Sequence, residues 1–107
     1  MSFLPKNSEE LKTYSKNNSS RLIVIDFKAA WCGPCKTIKP FIDYLRDNYK
    51  NVDFIEIDIE DEDTETITTM FEIKKVPTFV YYKNDELCNS FIGINKGNIE
   101  ELVNEYL

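Results

Sequence analysis

The residues best placed to do chemistry are the two cysteines of Trp31-Cys32-Gly33-Pro34-Cys35. Their C-x-x-C spacing falls where an apolar strand run, Leu22 to Phe27, feeds an amphipathic helix, Pro34 to Asn48. At such a junction the pair is a redox or metal signature rather than a packing feature. A helix N-terminus offers unpaired backbone N–H groups and the positive end of the helix dipole, and both favour an anion. A thiolate at Cys32 is that anion, and stabilising it raises the fraction ready to attack a disulfide near neutral pH. Cys35 lies about one helical turn further on, so its sulfur can reach back and close a ring after the first attack. Pro34 is tolerated there because first-turn N–H groups need no intrahelical partner. Gly33 leaves the approach to the sulfur open.

Composition narrows the chemistry further. The chain has no histidine, which removes imidazole as base, nucleophile partner or metal ligand. It has three cysteines, one short of a closed four-thiolate zinc site, so zinc shared between two chains or completed by a carboxylate is the remaining metal alternative. At 107 residues the expectation is one domain spanning 1–107, large enough for a core but too small for a second. Seven Phe and six Tyr argue against disorder. A formal charge of −6 argues against nucleic acid or an anionic membrane surface as partner. No apolar run is long enough to span a bilayer, and Met1 to Lys12 lacks the basic-then-apolar pattern of a secretory signal. These features predict a cytoplasmic protein, in a reducing compartment where a C-x-x-C pair is catalytic or metal-bound rather than a structural staple.

The elements that must position the cysteines follow from periodicity. Phe3-Leu4 is a candidate edge strand. Asn7 can cap a first helix, with Glu10 as its reciprocal partner, and that helix is expected to end near Lys16. The continuous run Leu22-Ile23-Val24-Ile25 reads as a strand covered on both faces. After the motif, Ile38, Phe41, Ile42, Leu45 and Tyr49 form a helical stripe, interrupted by Pro40, which is expected to kink it. Val52 to Ile59 is a further strand, and Asp61 to Phe71 a short helix with Ile67, Met70 and Phe71 on one side. Thr78 to Tyr82 and Leu87 to Ile92 make a hairpin across Lys83-Asn84-Asp85-Glu86, whose Asn and Asp tolerate left-handed geometry. Gly93 ends the second strand, and Asn95 can cap a last helix carrying Ile99, Leu102, Val103 and Tyr106 on one face. The predicted fold class is α/β: a mixed central sheet, parallel in its first half and closing on an antiparallel hairpin, with helices on both faces.

These residues carry a family resemblance. Val24-Ile25-Asp26-Phe27, Trp31 to Lys36, Ile38-Lys39-Pro40, Val76-Pro77-Thr78-Phe79, Gly93 and Lys96-Gly97, in that order and spacing, resemble the thioredoxin family over nearly the whole chain. The resemblance departs from the common pattern at Lys28, in the acidic run Glu60-Asp61-Glu62-Asp63 and in the glycine-free hairpin turn.

Asp26 is conspicuous on physical grounds alone. A carboxylate within an apolar strand loses hydration, which disfavours its charged form, unless it stands at a strand end and reaches solvent. The resemblance implies that it lies beneath the active site and assists proton transfer at Cys35, with Lys39 near it; otherwise Lys39 is one more solvated helix lysine. Pro77 on its own is a strand-opening proline. The resemblance implies instead a cis bond between Val76 and Pro77 facing the cysteines, leaving the Val76 backbone to pair with an extended substrate. Trp31, Gly33, Pro34, Ile59, Val76, Ile92, Gly93 and Ile94 are then the apolar rim around Cys32. Cys88, outside the pair, is either a small buried hydrophobe or an exposed thiol.

The expected function is protein disulfide reduction through a Cys32/Cys35 dithiol–disulfide couple. No bound cofactor is expected. The resemblance implies disulfide-containing protein substrates, an external flavin- and NADPH-dependent thioredoxin reductase, and a monomer. Two other readings stand beside it: a dedicated electron donor to one enzyme, and a binding subunit in which redox turnover is incidental.

Overall fold

The computed structural model describes residues 3–107. In chain order its elements are α1 (Ser8–Asn17), β1 (Ile23–Lys28), α2 (Gly33–Asn48), β2 (Asp53–Asp58), a 3₁₀ turn (Glu62–Thr64), α3 (Glu65–Met70), β3 (Thr78–Lys83), β4 (Glu86–Ile92) and α4 (Lys96–Tyr106). The four strands form one sheet in the order β2-β1-β3-β4. β1 pairs in parallel with β2 and antiparallel with β3, and β3 and β4 form the antiparallel hairpin.

Alternation along β1 assigns its side chains to two cores. Ile23, Ile25 and Phe27 join Leu11 of α1, Ile67 of α3, Ile55 and Ile57 of β2, and Val80 and Tyr82 of β3. Leu22 and Val24 join Ile38, Ile42 and Leu45 of α2, Phe54, Phe79, Tyr81, and Ile99 and Val103 of α4. The helical stripe read from the sequence is thus the face with which α2 covers the sheet. Asp26 continues the Val24 side of the strand and points beneath α2.

Capping residues fix the helix starts. The Asn7 side chain accepts from the Glu10 N–H, and the Glu10 carboxylate reaches back to the Lys6 N–H at 2.9 Å, one residue before the cap. Asn95 caps α4 by accepting from the Asn98 N–H. The hairpin turn works without glycine because Asn84 and Asp85 both take positive φ, 52° and 59°. Asp85 is held there by a hydrogen bond from the Tyr82 hydroxyl, and its N–H donates to Ser15 Oγ at 2.8 Å.

Two expectations are corrected. Phe3 and Leu4 form no strand. Pro5 follows at once and can give a ladder no N–H, and the Phe3 ring stacks on Tyr14 at 3.7 Å between centroids. Among the described residues α1 is the first element, and β2 is an edge of the sheet. The expected helix Asp61 to Phe71 is a 3₁₀ turn followed by α3, because Asp61 diverts the chain by accepting from the Asp63 N–H at 2.9 Å. α3 ends at Met70, and Glu72, at φ +52°, turns the chain away just after its C-cap Phe71.

Candidate active site

The cysteines stand where β1 hands the chain to α2. Cys32 is the N-cap of α2, and its Sγ accepts from the Cys35 N–H at 3.1 Å. The helix terminus thus directs a backbone donor at the sulfur, as anion stabilisation requires. Cys32 and Cys35 are joined in a disulfide with their Cα atoms 5.3 Å apart. Both are almost wholly buried and pack with Ala29, against Ile59 and Val76. A Cβ built at Gly33 meets no heavy atom within 4 Å, so space beside the pair is open. Pro34 occupies the first turn of α2, and Pro40 lies within the helix without ending it.

Trp31, which precedes Cys32 in the chain, and Ile92 and Ile94, at and just beyond the end of β4, are exposed apolar side chains, Trp31 at 65%. The Val76–Pro77 peptide is cis, and Gly93, at φ +123°, donates its N–H to the Pro77 carbonyl at 3.2 Å. That bond ties the turn after β4 to the turn before β3. It places Gly93 beside Pro77, with Ile92 paired opposite Thr78. A side chain at 93 would be strained in this backbone region.

Asp26 is 4% exposed, and its Oδ1 has no hydrogen-bond partner among the described residues. Burial, and secondarily the neighbouring Glu56, push its carboxyl up to about 7; Lys28, Lys39 and Arg46 oppose the shift. The strand-end, solvated reading of Asp26 is therefore excluded. Glu56 is its register partner on β2. Sequence reasoning missed Glu56, although it lies two residues from buried Phe54, on the face that a parallel strand would share with Asp26. Lys39 forms no hydrogen bond or ion pair with Asp26. Its Nζ donates to Asp43 at 2.8 Å and to Glu56 at 3.1 Å, so it acts on Asp26 only through its field. A cleft of about 320 Å³ beside the pair is lined by Cys35, Lys28, Ala29, Lys36, Lys39, Glu56 and Asp58. Cys35 thereby opens onto Lys28, Lys39 and Glu56, three of the charged groups that act on Asp26.

Cys88 falls between its two expected states. β4 carries one extra residue opposite the Tyr81–Tyr82 step, and Cys88 is that residue. It is half-buried against the core under α2 and α4, and burial raises its thiol above the usual range.

Known proteins confirm what this geometry suggests. The family model described as Thioredoxin matches residues 3–105. The chain belongs to the thioredoxin family. Among curated relatives, the thioredoxin of Ophiophagus hannah is 43% identical over 98 residues, covering 92% of this chain and 91% of that protein. The thioredoxin of Gallus gallus is 41% identical over 97 residues, covering 91% and 90%. The crystal structure of Fasciola hepatica thioredoxin superposes with a TM-score of 0.88 at 29% identity, covering each chain completely. Family membership and a Cys32–Cys35 pair at disulfide distance make the chain a thiol–disulfide oxidoreductase. Among the described residues no helix is long and apolar enough to cross a membrane, and no cluster of three or more His, Cys, Asp or Glu is placed to hold a metal ion.

Proposed function

We propose that the chain, acting as one domain and as a monomer, reduces protein disulfides in the cytoplasm with the following division of labour. In the reduced protein the Cys32 thiolate, held at the α2 terminus, attacks one sulfur of a target disulfide. The S–S bond breaks, the second target sulfur leaves as a thiolate, and a Cys32–target mixed disulfide forms. Cys35, losing its proton to Asp26, then attacks Cys32 Sγ. The target leaves with both sulfurs reduced, and the Cys32–Cys35 disulfide remains. Two electrons have passed from the pair to the target. The observation that carries this order is the Cys35 N–H aimed at Cys32 Sγ, which singles out Cys32 as the sulfur that the helix end stabilises. Lys39 assists through its field on Asp26. The substrate lies in extended form along Val76, which offers its backbone beside cis Pro77, and rests on Trp31, Gly33, Pro34, Ile59, Ile92, Gly93 and Ile94. The oxidised pair is returned to the dithiol by an external flavin- and NADPH-dependent thioredoxin reductase.

Trapping tests the order of attack. Cys35→Ser should accumulate a stable mixed disulfide through Cys32 when offered a disulfide-bonded protein, whereas Cys32→Ser should accumulate none. Equal trapping by both variants would remove the distinction between nucleophile and resolving thiol.

A further inference from the structure

Lys28, where the chain departs from the family pattern, has a defined place in the structure. It closes β1 two residues after Asp26, so both side chains leave the strand on the face covered by α2. Its Nζ donates to Glu56 Oε1 at 2.9 Å, while Lys39 Nζ donates to Oε2 at 3.1 Å and Arg46 Nη2 stands 3.5 Å from Oε2. The Glu56 side chain is 19% exposed and that of Lys28 37%, so this pair is partly withdrawn from solvent screening. Burial pulls the Glu56 carboxyl up, but the hydrogen bonds from Lys28 and Lys39 outweigh it and keep the group below its usual range. Asp26 therefore sits opposite a carboxylate that stays charged.

The charged groups facing Asp26 come from three elements. β2 supplies Glu56, α2 supplies Lys39 and Arg46, and β1 itself supplies Lys28. Opposite Asp26 on β3 stands Phe79, which carries no charge. Asp58 and Lys36 line the cleft that Lys28, Lys39 and Glu56 share with Cys35. Of the three cations, Lys28 acts most strongly on Asp26.

We propose that Lys28 is a positioning residue for the second half of the reaction: anchored on Glu56 in the cleft wall, it offsets the carboxylate beside Asp26 and so keeps Asp26 available as a base near neutral pH. The proposal rests on the reading of Asp26 as the acceptor of the Cys35 proton. In a member lacking this lysine, Glu56 would face Asp26 with one neutralising partner fewer, and Asp26 would hold its proton to higher pH. The Lys28 ammonium is bound to Glu56 rather than to a sulfur, and its effect runs through Glu56 and Asp26.

The test separates electrostatics from turnover. The Asp26 carboxyl carbon, isotope-labelled, is titrated by NMR in the oxidised protein. Lys28→Met should raise its midpoint by on the order of 0.5 pH unit, Glu56→Gln should lower it, and Lys28→Arg should leave it near the parent value. In the reduced protein, the pH at which release of target from the mixed disulfide is half-maximal should shift the same way. Mixed-disulfide formation in a Cys35→Ser background should stay unchanged, because Cys32 attack does not involve Asp26. An Asp26 midpoint unmoved by Lys28→Met, or moved the same way by Lys28→Met and Glu56→Gln, overturns the proposal. A midpoint that moves as expected while release keeps its pH profile upholds Lys28's hold on Asp26, and overturns instead the reading of Asp26 as the base for Cys35.

Discussion

Asp26 stands two residues beyond Val24 on the same face of β1, where Val24 buries its side chain in the α2 core. An apolar side chain at 26 would extend that core; a carboxyl there raises the free energy of the fold once it ionises. Its folded pKa lies near 7, above the ordinary 3.8, so the folded state binds this proton more tightly than the unfolded chain does. The associated stability is fully present below the unfolded value, falls as pH rises from there, and is gone above the folded one. Asp26→Asn keeps the shape without the charge. It should be more stable than the parent at pH 8 by on the order of 1–3 kcal/mol, with the gain shrinking towards pH 4. Denaturant melts of the oxidised proteins at both pH values check this. A variant less stable at pH 8 would mean that the charged carboxylate has a favourable partner. Disulfide reduction should slow in the same variant. Cys88 invites the opposite expectation. It lies at a bulge of β4, outside the redox pair, and Cys88→Ser should keep insulin-type disulfide reduction within about twofold of the parent. A tenfold loss would make it a third redox participant.

At the scale of elements, the position of each helix start matters most for function. The N-cap of α2 is a cysteine rather than a good capping residue, so a site for an anion replaces an ordinary cap. α4 shows the ordinary case: the Asn95 side chain accepts from the Asn98 N–H, and the Asn95 carbonyl accepts from Ile99. Asn95→Ala should cost about 1 kcal/mol, read as a lower denaturant midpoint with an unchanged slope. An unaltered midpoint would show that α4 is held by packing alone. That packing includes a buried bond from the Tyr81 hydroxyl to the Ile99 carbonyl at 2.8 Å, which ties α4 to β3. At the hairpin the polar pair Asn84-Asp85 supplies the left-handed residues that glycine often supplies, and the Asp85 side chain also bonds Tyr82 and Lys16.

Across the whole molecule, the sheet separates two cores: the one under α2 and α4 seats the helix that carries Cys35, and the other reaches the disulfide through Ile59, which packs against both. Ile42 is 2% exposed in the core under α2 and α4. Ile42→Ala should cost about 2–4 kcal/mol through lost burial and a residual cavity, a sizeable share of a stability of about 5–15 kcal/mol for a domain of this kind. Activity per folded molecule should survive, since no group at the disulfide is removed. Thermal melts combined with active-site titration separate the two effects. A disproportionate loss of turnover would show that α2 shifts on the sheet and carries Cys35 with it.

Much of this was legible in the sequence because it is local. The C-x-x-C spacing, the glycine and proline inside it, the period of the α2 stripe, the Asn caps and the positive-φ tolerance of Asn84 and Asp85 are all fixed by neighbours in the chain. So is the conflict that marks Asp26, a carboxyl set in an apolar run. The absence of a strand at Phe3-Leu4 is local as well, since the proline that follows can give a ladder no N–H. What only the tertiary structure decided is which distant groups share a face. The partnership of Asp26 with Glu56 and the anchoring of Lys28 on Glu56 depend on the parallel register of β1 and β2, and the anchoring of Lys39 on Glu56 depends on how α2 lies over that register. A field falls off with distance in space rather than along the chain, so the protonation of Asp26 is a property of the fold.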